Sequence, residues 1–310
     1  MKKYVFLFPG QGSQYTGMGM DILDASNEAK DLFALASEVI GRDVKKLLGE
    51  ADGAAFKRGG IAQPVITLVN LAAAAVLKSR GILAFACAGH SLGEYAALAV
   101  SGIVSAEDSL RLTARRGKLM QDAADVLVES GGGMAAVMGL PSGEVEKAVN
   151  DWAESGLRDL YVANFNSPAQ TVVSGTGKAL SEAETRFKEA GARRFIRLPV
   201  AGPFHSPLMA EAADKFAAAL DGISFADPRV PFFSNVTGKQ VTSGAEAKRL
   251  APLQIRGPVR WLDEEKAIAE TAPDAVLEAG PGRILTGLWK DSGSAIPCYP
   301  AGKFADIEKI

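Results

Sequence analysis

Residues 89–93 read Gly-His-Ser-Leu-Gly, and what flanks them leaves few folds open. Ahead runs Ile82-Leu83-Ala84-Phe85-Ala86-Cys87-Ala88, an unbroken apolar stretch of the length of a fully buried strand. Behind, Glu94-Tyr95-Ala96-Ala97-Leu98-Ala99-Val100 is rich in Ala and Leu and suits a helix. Strand, sharp turn and helix, with a serine between glycines at the turn, is the context that makes G-x-S-x-G a nucleophile elbow. The glycines let the backbone fold tightly enough to push the Ser91 hydroxyl out at the C-terminal edge of the strand. The helix start behind it offers free N–H groups to a developing negative charge. Without that context the pentapeptide is a glycine-rich turn with an ordinary serine.

A nucleophilic serine needs a base, and the chain has only two histidines, His90 and His205. His90 is adjacent to Ser91 in a tight turn, so it reads as a packing residue whose ring nitrogens are hydrogen-bonded locally. His205 lies in Val200-Ala201-Gly202-Pro203-Phe204-His205-Ser206-Pro207-Leu208-Met209. Ser206-Pro207 has the form of an N-cap and first helical position, with a helix expected from Ala210 to Leu220. A histidine just before a positive helix end stays neutral, the state that can take the Ser91 proton.

Tyr4-Val5-Phe6-Leu7-Phe8 is a short buried-type strand that runs into Pro9-Gly10-Gln11-Gly12-Ser13-Gln14. Such a loop can present a backbone N–H to an oxyanion at the edge of a parallel sheet. The N–H groups of Gln11 and of Leu92, next after the nucleophile, are the candidates. No Walker lysine follows, and the glycine spacing is not that of a dinucleotide fingerprint. Ser105-Ala106-Glu107-Asp108 resembles a capping box opening a helix through about Ala124. On it Leu112, Arg116, Leu119 and Ala123 share a stripe that is apolar except for Arg116. A guanidinium there keeps its charge and must find an anion, either an internal carboxylate or a substrate carboxylate held by a bidentate pair.

The ordered motifs resemble the malonyl-CoA:acyl carrier protein transacylase family, related to acyltransferase domains of fatty acid and polyketide synthases. They run from Phe8-Pro9-Gly10-Gln11-Gly12-Ser13-Gln14 through Gly89-His90-Ser91-Leu92-Gly93-Glu94 and Arg116-Gly117-Lys118-Leu119-Met120-Gln121. They continue in Phe204-His205-Ser206, Ser234-Asn235-Val236-Thr237-Gly238 and Glu278-Ala279-Gly280-Pro281-Gly282, so they cover almost the whole chain. The resemblance implies Ser91 as acylated nucleophile, His205 as general base, Arg116 as holder of the malonyl carboxylate, and Gln11 and Leu92 amides as the oxyanion hole. It also implies that the backbone carbonyl of Gln254 orients His205 in place of a triad aspartate, and that Asn166 lines the pocket. An aromatic residue before the histidine, here Phe204, resembles the malonyl-selective pattern, whereas serine there goes with methylmalonyl. Pro203 departs from the small residue expected at that position. The implied substrates are malonyl-CoA and a phosphopantetheinylated acyl carrier protein, with no bound cofactor and no metal.

Composition agrees without deciding. A chain of 310 residues, 47% hydrophobic and 23% charged, can bury a large core. A net charge of −2 argues against a nucleic-acid binder. Cys87 and Cys298 are too few for a disulfide framework. The apolar run after Met1-Lys2-Lys3 is too short for a signal peptide, and Val65 to Leu77, read as a buried helix after Pro64, is well short of a membrane span. A cytoplasmic protein with no membrane partner is expected.

Residues 1–126 and 200–310 read as an α/β-hydrolase-like catalytic domain with a parallel sheet. Between them, 127–199 reads as an inserted ferredoxin-like α+β domain. Its elements are a strand (134–138), a helix (142–153), two strands (160–163, 171–174), a helix (180–190) and a strand (194–199). The active site is expected in the cleft between the two. Arg193, Arg194 and Arg197 form a basic rim that suits an acidic carrier protein. Two further function classes stay open: a serine thioesterase or esterase, which gives its acyl group to water, and a scaffold that has lost chemistry. Within the transferase reading, the carrier protein serves fatty acid or polyketide synthesis.

Overall fold

The structure, a computed structural model, describes residues 2–49, 59–127 and 131–310. Along the chain the strands are β1 Tyr4–Phe8, β2 Ala84–Gly89, β3 Gly133–Met138, β4 Leu160–Ser167, β5 Gln170–Gly175, β6 Arg194–Arg197, β7 Phe232–Ser234, β8 Lys239–Val241, β9 Ala275–Glu278 and β10 Cys298–Pro300. The helices are α1 Asn27–Ile40, α2 Val44–Gly49, α3 Gly59–Ser79, α4 Glu94–Val100, α5 Ala106–Leu127, α6 Ser142–Glu154, α7 Gly177–Glu189, α8 Ala210–Ala219, α9 Gly244–Arg256, α10 Trp261–Glu270, α11 Ile284–Asp291 and α12 Phe304–Ile307.

Two sheets organise these elements. The larger runs β10-β9-β1-β2-β7-β8, parallel throughout except for the antiparallel edge pair β7–β8. β1 and β2 sit at its centre and are buried on both faces, as their continuous apolar runs require. The smaller sheet, β4-β5-β3-β6, is antiparallel and lies between the two halves of the larger one in sequence. With α6 and α7 it has ferredoxin-like β-α-β-β-α-β order. Its period-two alternation divides the strands between two cores: Ala135, Val137 and Val173 pack with α6 and α7, while Met134, Ala136 and Val172 face the core of the larger sheet.

Element ends depart from the sequence expectation where local chemistry is read late. α3 begins at Gly59 and takes Pro64 inside it, in its second turn, at the loss of one bond to an i−4 carbonyl. At 21 residues it is long and apolar enough to cross a bilayer, yet it is packed inside the protein against α1 and α5. α7 starts ahead of Leu180, at a cap in which Thr176 Oγ1 accepts from Ala179 N–H. β4 continues past Ala163 to Ser167, and β6 stops at Arg197, so Leu198 to Val200 form a strap rather than a strand. Residues 128–130, just inside the start of the expected insertion, lie outside the described residues.

Candidate active site

The turn after β2 carries Ser91 at φ 50, a left-handed conformation that costs a non-glycine residue roughly 1–3 kcal/mol. The strain persists because the turn is closed by atoms with no room to give. A methyl group at Gly93 would collide with the Phe8 carbonyl of β1, and one at Gly89 with the backbone of Gly93. Asn235, one residue past β7, fastens the turn from the other side. Its Oδ1 accepts from the Ser91 N–H at 2.7 Å, and its Nδ2 donates to the Gly89 carbonyl at 2.8 Å and to Glu264 at 2.7 Å. The Asn235 N–H donates to Glu94 at 2.7 Å.

His205 faces the serine. Its Nε2 lies 2.7 Å from Ser91 Oγ and its Nδ1 lies 2.8 Å from the backbone carbonyl of Gln254. A carbonyl only accepts, so Nδ1 carries the proton and Nε2 is left to accept from the serine. Burial, reinforced by the Arg116 charge, pushes the His205 imidazole down to about 3, so it is a neutral base at neutral pH. His205 also has a positive φ, 57, which nothing in its sequence signalled. Ser206 does occupy a cap position, but its hydroxyl turns back to donate to the Pro203 carbonyl at 2.6 Å instead of capping. One 3-10 turn, Pro207–Met209, then precedes α8.

Arg116 is buried midway along α5. Its Nη1 donates to Gln63 Oε1 at 2.9 Å. Its Nη2 donates to Gln254 Oε1 at 3.0 Å and reaches Ser91 Oγ at 3.3 Å. The guanidinium lies 5.4 Å from the centre of the Tyr95 ring, and among the described residues its Nε has no partner. The internal carboxylate left open by the sequence does not contact it: Glu94 acts on it through space while bonding to Asn235. Among the described residues a full cation is thus held by neutral oxygens alone, an arrangement with room for an anion.

The remaining residues surround this centre. Gln11 and Leu92 line the same cavity as Ser91, and among the described residues neither backbone N–H has a partner. Phe204 is buried in the cavity wall. Asn166 lies opposite on β4, where its Oδ1 is 2.8 Å from His90 Nε2 and its Nδ2 donates to Gln170 at 3.0 Å. His90 is therefore not hydrogen-bonded locally in sequence. It joins the elbow to the smaller sheet, with its ring edge-on to Trp261 at 5.4 Å. The cavity holds about 510 Å³ between the two sheets, with Asn164, Asn166, Gln170 and Val172 on the far wall. Gln63 and Asn235 are site residues the sequence reading did not single out. The first could have been noticed as a polar residue opening an apolar helix.

The chain is similar to known proteins along nearly its whole length. The family described as acyl transferase domain matches residues 5–298. The malonyl CoA-acyl carrier protein transacylase of Escherichia coli K12 is 38% identical over 291 residues, which is 94% of this chain and 93% of the relative. An acyl carrier protein S-malonyltransferase from Vibrio cholerae, solved at 1.7 Å, superposes with a TM-score of 0.93 at 34% identity, covering 99% of both chains. A malonyl-transacylase solved in complex with its type II polyketide acyl-carrier protein gives a TM-score of 0.92 at 35% identity, covering 99% of this chain and 98% of that one.

Proposed function

The chain belongs to the acyl transferase family, and from that premise we propose that it moves the malonyl group of malonyl-CoA onto the phosphopantetheine thiol of an acyl carrier protein. The observation that carries this is a single oxygen with two neighbours: Ser91 Oγ stands 2.7 Å from a neutral imidazole nitrogen and 3.3 Å from a buried guanidinium that has no carboxylate partner among the described residues. The first makes the oxygen a nucleophile. The second selects an acyl group that ends in an anion.

In the loading half-reaction His205 Nε2 takes the proton as Ser91 Oγ adds to the thioester carbonyl. The N–H groups of Gln11 and Leu92 receive the oxyanion. Collapse breaks the C–S bond, and the CoA sulfur leaves with the proton from His205. The carrier protein's thiol then repeats the sequence in reverse on malonyl-Ser91. Arg116 holds the distal carboxylate throughout by a charge-assisted pair. Gln254 holds His205 through its carbonyl, and Phe204 and Asn166 shape the wall around the acyl α-carbon. No step draws on a cofactor. The exposed strand β6 carries Arg194 and Arg197 and leads into the cavity-lining strap 198–200, a basic approach that suits an acidic carrier. This reading carries a cytoplasmic location with it. A hydrolase would use the same serine, histidine and arginine; the 38% identity to a transacylase over 94% of the chain favours the transferase.

Intact-mass measurement after incubation with malonyl-CoA or acetyl-CoA tests the reading. A stable malonyl adduct on Ser91 is expected, with malonyl preferred by at least roughly a hundredfold, since an acetyl group leaves a buried charge unpaired. Equal loading by acetyl would overturn the role of Arg116. Rapid loss of the adduct to water would make the protein a thioesterase.

A further inference from the structure

The two N–H groups assigned to the oxyanion belong to very different pieces of backbone. Leu92 N–H lies in the tight elbow, in the peptide unit whose carbonyl is that of Ser91, and this carbonyl accepts from Gln254 Nε2 at 2.8 Å. Because a peptide unit is planar and trans, holding its oxygen aims its N–H the opposite way. Gln11 N–H lies in a loop without regular structure. Its peptide unit has the Gly10 carbonyl at the other end, and that carbonyl accepts from Ser13 Oγ at 2.7 Å and from Ser13 N–H at 3.3 Å. The preceding carbonyl, of Pro9, accepts from Asn70 Nδ2 at 2.9 Å.

Asn70 is an odd residue for its place. It is fully buried in the middle of the most apolar helix of the chain, α3. Its Oδ1 has no hydrogen-bond partner among the described residues and packs against Gly280, whose missing side chain makes the space. A buried amide with one half unsatisfied costs stability. What the amide supplies is the tie to Pro9. Ser13 is likewise buried and spends its hydroxyl on the loop backbone.

We propose that Ser13 and Asn70 are positioning residues that aim the Gln11 N–H at the reacting carbonyl, Ser13 by fixing the Gly10 oxygen and Asn70 by fixing the Pro9 oxygen beneath it. Neither residue need touch the substrate. The inference rests on the proposed acyl-transfer reading, in which the Gln11 N–H serves the oxyanion.

Rapid-mixing measurement of Ser91 loading, with malonyl-CoA and separately with acetyl-CoA, tests it on Ser13→Ala, Ser13→Thr and Asn70→Leu. Removing an oxyanion donor outright costs about 10²–10³ in kcat, so misaiming one is expected to cost about tenfold in each of Ser13→Ala and Asn70→Leu. KM should be unchanged, and the loss should be the same factor for both acyl groups, because the hole serves any carbonyl. Ser13→Thr, which keeps the hydroxyl, should restore most of the rate. Asn70→Leu leaves the buried Pro9 carbonyl without its donor and should melt below the wild-type temperature. Assayed well below that melting temperature, its kcat should still be about tenfold down with KM unchanged, which lost stability alone does not give. If Asn70→Leu does not fold, Ser13→Ala against Ser13→Thr carries the same test. Rates within about twofold of wild type, or a rise in KM with kcat intact, overturn the inference and leave the transferase reading standing. Failure of the wild-type protein to form malonyl-Ser91 overturns both.

Discussion

The two sheets bury different kinds of polar group. Around the larger sheet Glu94, Arg116, His205, Glu264, Glu265 and Glu278 are all buried ionisable residues. The ferredoxin-like part, from β3 to β6, buries only neutral polar side chains among the described residues: Ser142, Asn164, Asn166, Ser167, Thr171 and Ser174. Yet both parts line one cavity. Among the residues that line the cavity, buried charge and left-handed non-glycine backbone, at Ser91 and His205, are confined to the side where bonds are made and broken. The opposite wall contributes shape and neutral hydrogen bonding. Chemistry and fit are thus separable in this molecule, and substitutions should separate them.

The sharpest contrast comes from the reacting pair. Ser91→Ala should abolish both acyl labelling and transfer, and His205→Ala should slow both half-reactions by roughly 10²–10⁴-fold. Substantial turnover by the first variant would move the nucleophile elsewhere and end the contrast. Next in size is selectivity. Arg116→Ala should erase most of a malonyl preference of about a hundredfold, read as the ratio of kcat/KM for malonyl-CoA and acetyl-CoA, and Arg116→Lys should recover little because it lacks the planar fork. On the far wall the effects should be smaller and of another kind. Asn166→Ala is expected to change KM by less than about tenfold with kcat nearly kept, since it loses neutral hydrogen bonds of modest net worth. A collapse of kcat there would show that the neutral wall takes part in the chemistry.

The smallest expected effect is a slope. Burial raises Glu94 to about 7 and Glu265 to about 8, and raises Glu264 well above the usual carboxylate range. The folded protein therefore keeps protons that the unfolded chain releases near 4.5, and this stability is lost as pH rises through the folded values. His205 and His90 are lowered instead, so their contribution is lost as pH falls below 6.5 and is complete above it. Between about pH 6.5 and 8 only the acids act, and the melting temperature should decline. Glu264→Gln should flatten that decline, and an unchanged slope would remove Glu264 from the account.

How much of this was legible depended on distance along the chain. Ser91, the helix behind it and the strand ahead are neighbours, so their pattern could be read directly. Arg116 was found because one charge interrupts an apolar stripe, and His205 because the chain offers so few histidines. The roles of Gln63, Asn235 and Glu264 were not legible, although Gln63 stood out as a polar residue in an apolar helix: each acts through a partner more than 20 residues away, on a contact that only the closed fold creates. The left-handed backbone at His205 was hidden for the same reason, since its usual signal is a glycine. Asn70 was visible as an interruption of the apolar run, but its meaning depended on where Pro9 would lie.

The crowding of Gly89 and Gly93 against each other and against β1 bears on how such a protein can vary over generations. No side chain fits at either position, so the floor beneath the serine offers natural variation nothing to work on. The cavity walls are open to it: Phe204, Gln170 and Val172 can each change size without touching the turn. A lineage drifting toward a new acyl donor would therefore be expected to keep its nucleophile fixed and record its history in the walls.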